Sequence, residues 1–572
     1  MSPRTPPPGV PPHASPRPHP PAPLRPPAGF RGTWCTGEDA TRLAGRISGP
    51  FEGAPVAWAE PTDLADLVRL VRHAADAGVP LVPRGGGTGM PGGNLAAGIV
   101  VALGAGGTDA PVDASSPLTE PTRNPAPAPG PAPASTEGFL HEGALEIDRD
   151  GGRRGDGDTA RIRVGAGVTA ARVEQLAAAA GFMFPPLPSS ARWATIGGMT
   201  ANNAAGARSF RYGAMARWVE GVEGVTVSGD PIRLDPGSGL PGAVSSVLPG
   251  ALPSRWPEVR KNSSGYGLDR WLRTGDPAQL AVGSEGTLLV VSHVTLRLTR
   301  RPPHRGVCLL PVHTPDQAGA LAVAADELGA TACEFLGRRL LDMTGLDGDP
   351  ELGSLSRGAL ALFLLEFEGW DTSQVAEALG RAGDRGREIG GSAGLATTDP
   401  VLANRLWGLR HRASPLIAAM AGKGLYSTQF VEDSVVPPAR LGAYLEGVDR
   451  ILREEGLGMD AVVFGHAGDG NVHLNPLVDT DDAAWRDRVR AILDAVVELV
   501  VDLGGTLAGE HGDGRLRAPF IETVWGREAV ASFRALKEAF DPDGLLNPGV
   551  ILPSPGQDPL QGLRPRPRSW PG

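Results

Sequence analysis

The chain is predicted to fold as two α+β domains, and three observations carry that prediction. Its 572 residues exceed what a single hydrophobic core organises. Up to about residue 300, short strands alternate with short helices and glycine-rich loops; beyond it, long amphipathic helices alternate with strands. Between these textures lies TRRPPH (Thr299–His304), which reads as a turn and places the boundary near Arg301.

The first domain is expected over residues 30–301. Residues 1–29 are dominated by proline, cannot bury enough apolar surface to fold, and read as disordered. Thr62–Gly78 reads as a helix, with Thr62 as cap, Leu64, Leu67, Val68 and Val71 as its apolar stripe, and Gly78 as its stop. VPLVP (Val79–Pro83) is a short buried strand running into PRGGGTGMPGGN (Pro83–Asn94). A proline-rich stretch at about residues 105–137 reads as a surface insert between the ordered segments GIVVAL and ALEID. RIRVGAGV (Arg161–Val168) is a strand followed by a helix to about Ala180; later strands are GVEGVTV and Leu280–Leu298. The second domain, expected over residues 302–552, has helices such as Thr314–Leu328 and Trp485–Leu503 between strands such as GVCLLPV, ALALFLLEFEG and AVVFGHAGDGNVHLNPL. A proline- and arginine-rich tail from about Pro553 is expected to be disordered.

Composition narrows the function. A net charge of −10 with interspersed signs argues against a nucleic-acid-binding surface. No apolar run approaches the roughly 20 residues of a membrane span, and the N-terminus lacks the apolar core of a secretory signal. A cytoplasmic protein is expected, one that could still meet a membrane through a redox partner. The three cysteines, Cys35, Cys308 and Cys333, form no CxxC pair and are too few for a Cys₄ iron–sulfur cluster. Electrons from any redox chemistry must then leave through a separate acceptor.

GHAGDGNVHLN (Gly465–Asn475) and GEHGDG (Gly509–Gly514) concentrate three of the eleven histidines among glycines. His466 and His473 offer neutral ring nitrogens and Glu510 a carboxylate oxygen, the ligand set of a catalytic divalent-metal site with room for substrate. His511, beside a ligand, is placed to act as a base. The Gly468–Gly470 turn can bend the chain so that both rings converge, and Asn475 shares a strand face with His473. The alternative is a pair of glycine-rich turns with solvated histidines. Asp469 and Asp513 are expected to bond locally within their own turns.

In PRGGGTGMPGGN, glycines without Cβ atoms let backbone N–H groups surround a pyrophosphate. The loop fits neither GxGxxG nor a P-loop, and a glycine-rich surface turn remains open on its residues alone. With Pro185–Gly213, KNSSGYGLD (Lys261–Asp269) and AVGSEGTLLVV (Ala281–Val291), it resembles the vanillyl-alcohol-oxidase, or PCMH-type, FAD fold over about residues 51–301. That resemblance implies cofactor contacts from Pro83, Arg84, Gly85, Gly86, Gly87, Thr88, Gly89, Gly92 and Gly93. It adds Thr195, Gly197, Gly198, Asn202, Asn203 and Gly206, and Gly283, Glu285 and Gly286. Gly86, Gly87 and Thr88 stand where some relatives tether FAD through histidine, so non-covalent FAD is implied.

Residues 305–552, through AFDPDGLLNPGVIL (Ala539–Leu552), resemble the FAD-linked oxidase C-terminal domain, the cap of D-lactate dehydrogenase, D-2-hydroxyglutarate dehydrogenase and the FAD subunit of glycolate oxidase. The resemblance implies a two-part FAD-binding domain plus a cap with an antiparallel sheet. It also implies oxidation of a small D-2-hydroxy acid such as D-lactate or glycolate, with hydride transfer to flavin N5. His466, His473 and Glu510 would hold the metal, zinc before manganese or iron, and His511 would abstract the proton. Arg410 would bind the substrate carboxylate and Ser414 would contact substrate; a surface ion pair is the alternative for Arg410. The lysine that helps hold the distal carboxylate of 2-hydroxyglutarate is missing from Gln429–Pro437. The acceptor would be an electron-transferring flavoprotein, cytochrome, quinone or iron–sulfur subunit. Two alternatives share the fold: a non-redox transferase of the alkyl-dihydroxyacetone-phosphate synthase type and a non-catalytic subunit of a glycolate oxidase complex.

Overall fold

The computed structural model describes residues 24–45, 47–95, 97–104, 138–139, 142–148, 159–457 and 460–564. The disorder expected for residues 1–23, the insert at 105–137 and the end of the tail at 565–572 lie outside them. Leu24–Gly29 are described, and the Leu24 carbonyl accepts from Trp34 Nε1 (3.2 Å).

Three sheets organise the chain into the expected α+β class. A four-stranded sheet has the spatial order Thr33–Thr36, Ala57–Glu60, Ile99–Ala102, Leu81–Arg84, with its last two pairings parallel. A six-stranded antiparallel sheet has the order Glu142–Asp148, Thr159–Gly165, Val290–Arg300, Val219–Val225, Pro231–Leu234, and Phe182–Met183 also pairs with Val290–Arg300. The eight-stranded antiparallel sheet of the C-terminal half is centred on Ala361–Gly369, Ala332–Gly337, Ala461–His466 and Asn471–Asp479. Arg300 ends a strand of the second sheet and His304 begins one of the third. One apolar core runs through both halves, and a smaller one lies on the far face of the third sheet.

Local chemistry explains the elements and their departures from expectation. Leu64–Ala77 is helical, but its cap is Asp63, whose side chain accepts from Asp66 N; the hydroxyl of Thr62 donates to the buried Asp66 carboxylate instead (2.6 Å). Pro315–Glu327 starts with a capping box from Thr314 and Gln317. The strand expected from Leu280 begins only at Val290, because Gly283, Glu285 and Gly286 have φ of 81°, 50° and 70°, which no strand accommodates.

The chain's end packs back on its beginning. Trp525 and Phe533 of the helix Ile521–Phe540 pack on Trp256 and Tyr266 of the N-terminal half, and Leu81 N donates to Leu545 O (2.8 Å). Residues 521–552 thus follow the cap in sequence but pack with the first domain. Nor is the tail loose from Pro553: Leu560 and Leu563 are buried, and Arg564 donates to Gly49 O (2.6 Å). Two buried leucines and backbone hydrogen bonds such as Glu52 N to Gly562 O (3.0 Å) seat this segment on the first domain. Among the described residues no helix is long and apolar enough to cross a membrane.

Candidate active site

A cavity of about 3910 Å³ runs between the N-terminal sheets and the cap. Pro83–Gly89, Gly93, Thr195, Gly197, Gly198, Asn202, Gly206, Glu285 and Gly286 line one part, and Arg410, Ser414, His466, His473, Asn475, Glu510 and His511 line another. Three residues expected at the cofactor are not among its lining. Gly92 turns its carbonyl to Arg515 (2.7 Å). Asn203 closes the helix Ile196–Asn202, and its side chain binds Asn262 O and Ala216 N. Gly283 N bonds Thr200 O (2.9 Å). All three brace loops that other residues expose to the cavity.

The glycine loop is shaped by its neighbours. A Cβ on Gly86 would lie 1.9 Å from the carbonyl oxygen of Trp193, so these two loops can approach this closely only through a residue without a side chain. Arg84 sits inside this loop, its NH1 on Ala44 O (3.3 Å) and its guanidinium over Trp58. Burial lowers its pKa to about 10, and no carboxylate pairs with it among the described residues. A partly buried cation beside exposed backbone is suited to an anion.

At the other end, the hairpin Ala461–His466/Asn471–Asp479 explains how two histidines seven residues apart converge. Phe464 lies opposite His473 in the register. Positions 464 and 466 share a face, so His466 and His473 do too. Glu510 enters from the GEHGDG loop: its Oε1 is 3.3 Å from His466 Nε2, 3.4 Å from His473 Nε2 and 3.6 Å from His511 Nε2. The opposite ring nitrogens are occupied: Nδ1–H donates to Glu334 Oε1 from His466 (2.5 Å), to Glu432 O from His473 (2.8 Å) and to Glu432 Oε2 from His511 (2.7 Å). The three imidazole Nε2 atoms and a carboxylate oxygen therefore face one another, an arrangement that calls for protons or a metal ion between them. His466, His473 and Glu510 place one ligand atom each within 4.8 Å of one another. The side chains of His466 and His473 are 6% and 7% exposed while that of His511 is 26% exposed, so His511 is the most open of the three.

Several residues that hold this cluster were not singled out from sequence. Glu334 grips His466 with one oxygen and Arg410 Nε with the other (2.6 Å); burial would raise its pKa, but His466 and Arg410 hold it at about 2. The ion pair of Arg410 is thus made to a buried carboxylate, with Arg410 itself partly exposed to the cavity. Glu432 lies between His511 and Arg517 (2.5 Å), which likewise keep it near 2 against burial. Burial would lower His511, yet Glu432 and Asp433 raise it to about 9. Asp433 Oδ2 accepts the backbone N–H groups of Gly509, Glu510 and His511 (2.9, 3.0 and 2.9 Å), which fixes the loop carrying both functional side chains. The adjacent acids in QFVEDSVVP were the available signal. Lys261, in a segment expected at the flavin, instead donates to Glu510 Oε2 (2.6 Å). Asp513 bonds Gly265 N (2.8 Å) and Asp469 lies 3.8 Å from Arg260, so both look outward rather than into their own turns. Asn475 accepts from Ser427 Oγ (3.0 Å) beside His473.

Residues 301–551 match the family model described as FAD linked oxidases, C-terminal domain, and residues 55–110 and 141–235 match the FAD binding domain. The D-lactate dehydrogenase of Archaeoglobus fulgidus is 28% identical, over 86% of this chain and 90% of that protein. The D-2-hydroxyglutarate dehydrogenase of Stutzerimonas stutzeri is 30% identical, over 68% of this chain and 76% of that protein. Among solved structures, an alkyldihydroxyacetonephosphate synthase matches 87% of this chain and 78% of that one with a TM-score of 0.55 and 16% identity, a likeness of fold. With both halves matched in order, and the identity to the Stutzerimonas protein sustained over three-quarters of that relative, the chain belongs to the FAD-linked oxidases, an FAD-binding domain followed by their C-terminal domain.

Proposed function

We propose that this protein oxidises a small D-2-hydroxy acid to the 2-oxo acid. The observation that carries this reading is the convergence of three imidazole Nε2 atoms on Glu510 Oε1 in the cavity that also exposes the glycine loop. Non-covalent FAD between Pro83–Gly89 and Thr195–Gly206 would supply the hydride acceptor, and a divalent ion, zinc before manganese or iron, on His466, His473 and Glu510 would supply Lewis acidity. The glycine loop has neither histidine nor cysteine to tether the flavin.

The chain's own residues orient the substrate and move its proton. Arg410 Nε is committed to Glu334, which leaves the terminal N–H groups of the guanidinium for the substrate carboxylate. Ser414 and Asn475 line the same region. His511 in its neutral form takes the hydroxyl proton at Nε2, and Glu432 on its Nδ1–H both fixes the tautomer and stabilises the imidazolium formed. Because Glu432 and Asp433 raise its pKa to about 9, a cation on the adjoining Glu510 would be what favours that neutral form. The missing lysine in Gln429–Pro437 leaves a distal carboxylate without that partner, which favours a monocarboxylate such as D-lactate over 2-hydroxyglutarate. The three scattered cysteines of this sequence cannot hold a Cys₄ cluster, so the electrons would pass to an acceptor outside the residues given.

Anaerobic addition of D-lactate to the flavin-loaded protein should bleach the flavin, while L-lactate should not. A flavin that stays yellow with every D-2-hydroxy acid in a panel would sink the reading and leave the transferase alternative. Metal analysis of the same sample should find one divalent ion per chain.

A further inference from the structure

We propose that Lys261 is a positioning residue for Glu510: it occupies one carboxylate oxygen so that only the other is offered to a divalent cation, and it registers that ligand against the FAD-binding half. The inference rests on the metal reading above.

Glu510 has two oxygens in different company. Oε1 faces the three imidazoles, whereas Oε2 accepts from Lys261 Nζ at 2.6 Å. Lys261 is 3% exposed, and its second bond, to Asn471 Oδ1 (3.1 Å), is to a side chain itself held by Asp433 Oδ1 (2.9 Å). With Lys261 fixed on both sides, Glu510 cannot rotate to present both oxygens without breaking a buried charged hydrogen bond.

The bond is part of a longer splice. Ser263 N donates to Ala508 O (2.9 Å), Ser263 Oγ accepts from Gly512 N (3.0 Å) and Gly265 N donates to Asp513 Oδ2 (2.8 Å). Lys261–Gly265 therefore follows Ala508–Asp513 bond by bond. On its other side Asn262 O accepts from Asn203 Nδ2 (3.1 Å), while Asn202 Nδ2 binds His511 O (3.0 Å). One segment thus sets the metal ligand and the base relative to the helix Ile196–Asn202 at the cofactor end. A compact ammonium fits between Oε2 and Asn471, where the planar fork of arginine is broader.

A lysine that merely stabilised the fold would leave the metal affinity of the folded protein unchanged. Loss of its positive charge alone would tighten cation binding. Weakening is therefore the signature of lost positioning. The flavin-loaded full chain, stripped of metal, is titrated with Zn²⁺ against a chromophoric chelator. K261M should bind Zn²⁺ about 10- to 100-fold more weakly with its flavin content unchanged. K261Q, which retains a hydrogen-bond donor without the charge, should fall between K261M and the parent. An affinity equal to or tighter than the parent's overturns the inference, and if K261M does not fold, K261Q decides by the same criterion. A parent that binds no Zn²⁺ overturns the metal reading and this inference together, whereas a parent matched by K261M overturns this inference alone.

Discussion

At the glycine-rich end of the cavity Gly85 and Gly86 lie against Thr195 and Trp193 with no room for a Cβ, whereas at the histidine end Glu334, Glu432, Asp433, Glu510, Arg410, Arg517 and Lys261 crowd around three imidazoles. One end is made by leaving side chains out, the other by packing charged ones in. The glycine end should therefore be injured by added atoms and the histidine end by removed ones. The injuries should also differ in kind, with lost cofactor and stability at the first and lost turnover at the second.

The sharpest contrast comes from H511A. It should lower kcat about 10²- to 10⁴-fold yet leave the yellow flavin spectrum and metal content intact. Retained turnover in stopped-flow reduction would remove His511 from the chemistry. Next, E334Q tests whether the charged shell acts through the ligands. Because Glu334 holds both His466 and Arg410, this variant should weaken metal binding about 10- to 100-fold and raise KM. A change in only one of the two would show that Glu334 does not couple them.

At the glycine end, G86A forces a methyl against the Trp193 carbonyl. It should cost about 1–3 kcal/mol of stability and lower the flavin content on purification, and a fully flavinated variant of parental stability would contradict the packing account. The smallest effect separates structural burial of charge from functional burial. Asp66, buried in the first domain, accepts from Thr62 and Arg69 and is also bonded by Arg31. Burial raises its pKa, but the hydrogen bonds from Thr62 and the charge and backbone N–H of Arg31 outweigh burial and lower it. A lowered folded-state value stabilises the fold above the unfolded carboxyl's pKa of about 4, and that contribution fades as pH falls through the folded value. D66N should then be less stable than the parent by about 1–3 kcal/mol at pH 7, with the gap closing in acid and no change in flavin or metal content. Chemical denaturation at several pH values measures it, and a gap independent of pH would refute the assignment.

Much of this architecture was legible because it is local. Apolar periodicity located the helices Leu64–Ala77 and Pro315–Glu327, and the His and Glu types around glycine turns marked His466, His473 and Glu510. What stayed hidden was long-range. Lys261 and Glu510 are 249 positions apart and Glu334 and His466 are 132 apart. Nothing in either short stretch announces its partner. The misplaced strand start at Leu280 has the same character, since hydropathy is blind to the positive φ values that break the strand.

By itself, then, the order of residues determined which chemical groups were available: electron-pair donors for a cation, a backbone loop for an anion, and two α+β halves to carry them. Periodicity, turn chemistry and side-chain type are properties of neighbouring residues, so they can be read along the chain. Only the tertiary structure decided which oxygen of Glu510 faces the imidazoles, which carboxylates hold each ring, and that the chain's end returns to pack on its beginning. Those choices depend on burial, where an unpaired charge is costly enough that distant segments must meet to satisfy it.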